Sequence, residues 1–149
     1  MDEIDRRILA ELQRDAGQSL EVLGERTGLS RNAVWRRVRA LETDKVIRAR
    51  VALLDPEKLD LCLTVVIMIR TSSHDPGWLE IFARAVREIP EVLGAYRMTG
   101  DLDYMVRARV SDMAGYDRLY QRLIRKVPMS DVSASFVMEE LKETTALPV

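Results

Sequence analysis

Seven cationic side chains crowd into residues 31–50, namely Arg31, Arg36, Arg37, Arg39, Lys45, Arg48 and Arg50, against only Glu42 and Asp44, a net of +5. The whole chain balances 23 Lys and Arg against 24 Asp and Glu, a formal net charge of −1. Attraction to a polyanion depends on where the cations sit, because each phosphate neutralised releases counterions locally. Asn32 adds a second chemistry to this stretch. Arginine forms bidentate pairs with guanine O6 and N7, and asparagine with adenine N6 and N7. These residue types together suit the edges of base pairs in duplex DNA.

A helix is the element that would aim them. Val34, Val38 and Leu41 recur at i, i+4 and i+7 and form one apolar stripe. At about 100° per residue, Asn32, Arg36, Arg39 and Thr43 then fall on the opposite side, with Trp35 on the flank. Ser30 and Arg31 lie where the helix begins, and free backbone N–H groups at such an end favour phosphate. Arg37, Lys45, Arg48 and Arg50 are expected to clamp the phosphate backbone rather than read bases. The DNA-binding set expected from sequence is therefore Ser30, Arg31, Asn32, Arg36, Arg37, Arg39, Lys45, Arg48 and Arg50. An arginine-rich face alone usually means only a solvated helix, so the neighbouring elements decide.

Those elements fit DNA binding. Ile4, Ile8, Leu9 and Leu12 predict a helix over 2–15, with acidic residues in its first turn and Gly17 ending it. A short helix follows from Leu20 to Thr27 with Ser19 as its N-cap. Gly28-Leu29-Ser30 is a three-residue turn, and Ser30 caps the basic helix, which runs to about Thr43. A short helix, a glycine turn and a longer helix make a helix-turn-helix. Val46 to Leu54, rich in Val and Arg, is expected to form one or two short strands as a wing, broken by Asp55-Pro56.

The remainder alternates differently. Strands are predicted over 61–71, 92–98, 104–110 and 132–141. Helices are predicted over 77–89, with Trp78, Phe82, Ala85 and Ile89 on one face, and over 112–127, with Met113, Tyr116, Tyr120, Leu123 and Val127 on one face. The order β-α-β-β-α-β is that of a ferredoxin-like sandwich, with both helices on one side of the sheet. The fold class read from sequence is α+β, a winged helix-turn-helix over 1–50, a wing or linker over 51–60, and a βαββαβ domain over 61–149. Leu61 to Ile69 is apolar almost throughout, so both faces of that strand call for cover. The helices cover one. A second copy of the sheet is the simplest cover for the other, which predicts a homodimer; the alternative is that the linker or the N-terminal domain folds over it.

Composition excludes several classes. At 149 residues, 47% hydrophobic and 32% charged, the chain suits a globular protein rather than a disordered one. The longest apolar run is strand-sized and interrupted by Thr64, so no membrane span is expected. The charged N-terminus predicts no secretory signal, and the single cysteine, Cys62, suits a reducing cytoplasm.

Certain stretches, taken in order, are similar to one family. They are Ile4-Asp5-Arg6-Arg7-Ile8-Leu9, Gly28-Leu29-Ser30 before Arg36-Arg37-Val38-Arg39-Ala40-Leu41-Glu42, Ala52-Leu53-Leu54-Asp55-Pro56, Pro90-Glu91-Val92, Thr99-Gly100-Asp101-Leu102-Asp103-Tyr104, and Lys142-Glu143-Thr144-Thr145-Ala146-Leu147-Pro148. Each alone is weak, and the set in this order resembles the leucine-responsive and asparagine-responsive (Lrp/AsnC) transcription regulators over almost the whole chain. The resemblance implies a winged helix-turn-helix joined to a RAM-type effector domain, with dimers formed through the C-terminal domains and assembling to tetramers or octamers. It implies double-stranded DNA and an amino acid or related small metabolite as partners, and no cofactor. The effector would bind where dimers meet, near a loop carried over here as Thr99, Gly100, Asp101, Asp103 and Tyr104. Gly100 would let backbone N–H groups approach a carboxylate, and Asp101 or Asp103 would pair with an ammonium. From spacing alone, Gly100-Asp101 reads rather as an ordinary hairpin connection, and it is the resemblance that favours ligand binding.

Other chemistry has little support. His74, in a polar loop, reads as a solvated turn residue, and His74 with Cys62 falls short of a zinc site. Asp101 and Asp103 alone make a poor cation cage. Ser133 and Ser135 lack a neighbouring base, and Gly94 and Gly100 form no phosphate motif. Two rival readings are an enzyme resembling sirohaem decarboxylases, which depend on histidines this chain lacks, and a sensing scaffold without DNA binding. The outward set Asn32, Arg36 and Arg39 argues against the latter.

Overall fold

The computed structural model describes residues 1–71, 75–129 and 131–149, so His74 lies outside the described residues. The chain divides into two compact units, one of residues 1–53 and 141–149, the other of residues 54–140.

The first unit holds three helices, α1 (Glu3–Arg14), α2 (Leu20–Thr27) and α3 (Arg31–Thr43). Each begins on a side-chain cap that satisfies an otherwise orphaned N–H group. Asp2 accepts from the Asp5 N–H at 2.8 Å while Asp5 accepts from the Asp2 N–H at 2.9 Å. Ser19 accepts from Val22 and Ser30 from Ala33, both at 3.3 Å. Gly28 ends α2 in the left-handed region at φ +72°, a conformation that costs a side chain little only when it is absent. Ile8, Leu9, Leu23, Val34, Val38 and Leu41 form the core, as the apolar stripes require. Gly24 is buried because the α2–α3 turn folds back on it: a Cβ there would lie 2.6 Å from the Leu29 carbonyl oxygen.

Two expectations change here. Val46 to Leu54 forms no strand. Ile47 donates its N–H to the Leu41 carbonyl at 3.0 Å and packs on the core, while Val51, Leu53 and Leu54 are 72%, 73% and 70% exposed. A strand needs a ladder partner, and the stretch has none among the described residues; its Val-rich composition reported a preference without a pair. Second, residues 141–149 belong with the first unit rather than with the βαββαβ domain expected to run to 149. Gln13 fastens the segment at both ends of its amide, donating to the Leu147 carbonyl at 2.9 Å and accepting from the Leu147 N–H at 2.6 Å.

The second unit carries β1 (Leu63–Arg70), α4 (Pro76–Glu88), β2 (Val92–Arg97), β3 (Tyr104–Val110), α5 (Met113–Lys126) and β4 (Asp131–Phe136). Sheet order is β2-β3-β1-β4 with every neighbouring pair antiparallel, as the ferredoxin-like order predicts. Period-2 alternation puts Val65, Ile67 and Ile69 of β1 and Tyr104, Val106, Ala108 and Val110 of β3 under the helices, all buried. Trp78, Phe82, Ala85 and Ile89 meet them from α4. In α5 the buried stripe is Gly115, Leu119, Leu123 and then Val127, and Met113 is 57% exposed rather than on the core face. Gly115 suits the close approach of the helix start to the end of β3, since a Cβ there would lie 2.8 Å from Ser111 Oγ and 3.3 Å from Val110 Cβ. The opposite sheet face presents Thr64, Val66, Met68, Met105, Arg107 and Arg109, with Met68 opposite Met105 across the ladder.

Candidate functional site

The capped start of α3 and the buried stripe behind it turn Asn32, Arg36, Arg39 and Thr43 outward, and all four are exposed. Neighbouring charges sort the cations. Arg36, Lys45 and Arg48 are exposed and hold no ion pair among the described residues. Arg31 Nε lies 2.6 Å from Glu21, and Glu42 serves both Arg50 at 3.0 Å and Arg39 at 3.5 Å. Such exposed pairs are worth little and exchange readily for phosphate. Its own backbone N–H, then the Ser19 hydroxyl, then Arg31 hold the Glu21 carboxyl below its usual range.

Arg37 is different. Expected as a phosphate clamp, it turns inward and places one guanidinium nitrogen 2.7 Å from Asp5 and 2.7 Å from Asp2. The bonds to Asp5 and Asp2 raise its pKa further. Asp2 is lowered first by the Asp5 N–H and next by Arg37. Arg37 is thus a brace between α3 and the start of α1. Its position on α3 lies nearer the apolar stripe than those of Arg36 or Arg39, which is the one signal that separates it from them. Glu42 is detectable from sequence as the i+3 neighbour of Arg39; the pairing of Arg37 across more than thirty residues is not.

The five effector-loop candidates also divide. Thr99, Gly100 and Asp101 are exposed at the β2–β3 connection, with Gly100 at φ +103°, where only glycine is unstrained. Arg70 donates to the Asp101 carbonyl at 2.9 Å, leaving the Asp101 carboxylate outward at an exposed position. Asp103 is engaged within the fold: its carboxylate accepts the Thr71 N–H at 2.8 Å, and its own N–H donates to the Ile69 carbonyl at 3.1 Å. Tyr104 does not face the loop tip. Its ring is 6% exposed and packs 4.9 Å from Phe82 and 5.3 Å from Trp78, because residue 104 begins the inward alternation of β3. It borders a cavity of about 400 Å³ between α4 and β2, which Phe82, Arg87, Tyr96 and Arg97 also line. No spacing in the sequence announces that cavity.

No three His, Cys, Asp or Glu among the described residues gather as a metal site, and no helix among them is long and apolar enough to cross a membrane.

Comparison with known proteins agrees with this arrangement. Residues 1–42 match the AsnC-type helix-turn-helix domain, and residues 64–147 match the Lrp/AsnC ligand binding domain. A glutamate uptake regulatory protein of Zymomonas mobilis is 49% identical over 149 residues, spanning 100% of this chain and 91% of that protein. The crystal structure of an AsnC family transcriptional regulator from Agrobacterium tumefaciens superposes with a TM-score of 0.96 at 49% identity, covering 99% of this chain and 97% of that one. A transcriptional regulator from Neisseria meningitidis in complex with L-methionine superposes at 0.94 with 34% identity, covering 99% and 96%. With a helix-turn-helix model matching the first helices and a ligand-binding-domain model matching the sandwich, the chain belongs to the Lrp/AsnC family of transcriptional regulators.

Proposed function

We propose that this regulator binds specific duplex sites as a homodimer in the cytoplasm, and that an amino acid or related metabolite alters its assembly and its grip on DNA. The observation that carries the DNA half is the outward ridge of Asn32, Arg36 and Arg39 on a helix whose other face is fully committed to the core. In this reading Asn32, Arg36 and Arg39 face base edges, and Ser30, Arg31, Lys45, Arg48 and Arg50 meet phosphates. Arg37 positions α3 from behind. Dimerisation through the sheet is supported by the partly apolar face of Val66, Met68 and Met105, opposite the face that α4 and α5 cover. Further assembly to tetramers or octamers follows the family pattern.

The effector reading rests on the exposed Thr99-Gly100-Asp101 tip and on the related regulator that holds L-methionine. Asp101 offers an ammonium partner and Gly100 open backbone, while Asp103 and Tyr104 shape the loop from within. A thermal-shift screen of the amino acids on the purified protein tests this, since a ligand that binds only the native state raises its melting temperature. Calorimetry then compares wild type with Asp101→Ala. Equal heats would remove Asp101 from the site, and salt-independent retention of duplex DNA would overturn the DNA half.

A further inference from the structure

Trp35 is the exposed one of two tryptophans. Trp78 is 7% exposed, stacks on Phe82 at 5.2 Å and donates its indole N–H to the Pro128 carbonyl at 2.6 Å. Trp35 is 51% exposed and has neither a ring neighbour nor a hydrogen-bond partner among the described residues. The fold gives no reason for it. The core behind α3 is complete with Val34, Val38 and Leu41, and any polar residue would suit a helix flank at 35.

Its position supplies a reason. At about 100° per residue, Trp35 stands some 40° from Arg39 and 60° from Asn32 around α3, at the border of the ridge. Its neighbours one turn away, Arg31 and Arg39, are both cationic; Arg31 pairs with Glu21 of α2 and Arg39 with Glu42 of α3. The indole is thus an apolar plate inside a basic frame. A protein partner would be met by an apolar patch, and the neighbours of Trp35 one turn away along α3 are charged. Duplex DNA fits the frame better. In the major groove the one apolar feature is the thymine 5-methyl group.

We propose that Trp35 is a specificity-determining residue that packs its indole against a thymine 5-methyl group in the major groove, beside bases met by Asn32 and Arg39. The assignment rests on the DNA-reading role of α3 proposed above. Trp35 therefore adds preference at one base step, and not general affinity. The number of phosphates held, and with it the salt dependence, stays the same when it is changed.

The experiment selects sites from a random-sequence duplex pool with full-length wild type, Trp35→Phe and Trp35→Ala. Wild type and Trp35→Phe should fix a thymine that Trp35→Ala leaves free. Replacing that thymine by deoxyuridine, which removes only the methyl, should weaken wild type on the order of fivefold, the size expected for one buried methyl. The same replacement should leave Trp35→Ala unaffected and the salt slope unchanged. In parallel, duplex binding should shift the tryptophan emission of wild type to shorter wavelength and leave that of Trp35→Phe in place. An unchanged selected motif in Trp35→Ala, a deoxyuridine effect that persists in it, or an emission shift that survives Trp35→Phe overturns the assignment. Should Trp35→Ala not fold, the deoxyuridine series on wild type together with the emission of Trp35→Phe decides alone. Wild type that enriches no sequence at all would instead defeat the DNA-reading role of α3, a separable failure.

Discussion

Arg37 and Asp5 are joined at 2.7 Å across the interface of α3 and α1, with Asp2 gripped by the same guanidinium nitrogen. The N-cap of the first helix and the basic helix are therefore parts of one hydrogen-bonded cluster. Arg37→Ala is expected to lower the melting temperature of the helical unit while leaving DNA affinity per folded molecule nearly unchanged. Thermal unfolding followed by gel shift on the folded fraction checks both. Retained stability with a large affinity loss would return Arg37 to the phosphate contacts.

The same cluster sets a pH dependence. Asp2 titrates below its usual range in the folded protein because the Asp5 N–H and Arg37 favour its charged form. A depressed carboxylate contributes stability that is present above the unfolded value and is lost as pH falls through the folded one. Stability should thus decline below about pH 4, the ordinary carboxylate range. Asp2→Asn should flatten that part of the curve, as urea unfolding at pH 2 to 5 would show.

Gly24 and Gly28 make a pair of opposed expectations. Alanine is the better helix former, so Gly24→Ala in the middle of a helix would ordinarily stabilise by up to about 1 kcal/mol. Here the new methyl meets the Leu29 carbonyl at 2.6 Å, and backbone must move. Gly24→Ala is expected to destabilise by about 1–3 kcal/mol. Gly28→Ala meets no atom within 4 Å but pays the left-handed strain, about 1 kcal/mol. Equilibrium urea unfolding ranks the two, and a stabilised Gly24→Ala would contradict the close turn.

Arg36 and Arg48 should separate by readout. Arg36→Ala is expected to cost about 1–3 kcal/mol at the preferred site and to relax its sequence preference. Arg48→Ala should weaken all duplexes alike and reduce the salt slope by about 1. Titrations at several ionic strengths, on a selected and a scrambled duplex, distinguish them. Equal effects on both duplexes for Arg36→Ala would make it a phosphate contact.

In the candidate effector loop, Asp103→Ala strips the Thr71 N–H of its acceptor and should cost about 1 kcal/mol of stability. Asp101→Ala should leave stability unchanged and act only on ligand heats. A stable Asp103→Ala that loses ligand binding would reverse these roles.

What was legible in the sequence follows from the range of the forces involved. Ser19, Ser30 and Gly28 mark the helix-turn-helix because caps and turns act within four residues, and the order of strands and helices marks the sandwich. The outward positions of Asn32, Arg36 and Arg39 follow from the stripe behind them. The partners of Arg37, the inward ring of Tyr104 and the return of the last residues depend on contacts made far along the chain. Val46 to Leu54 misled for the same reason, since strand preference is local and a ladder is not.

The Gln13–Leu147 bonds have a practical corollary. Because residues 1–53 and 141–149 form one unit, residues 54–140 stand as an insert within its sequence. A DNA-binding fragment cut at the linker would lack its own last piece, whereas one in which residue 53 is spliced by a short spacer to residue 141 would carry every part.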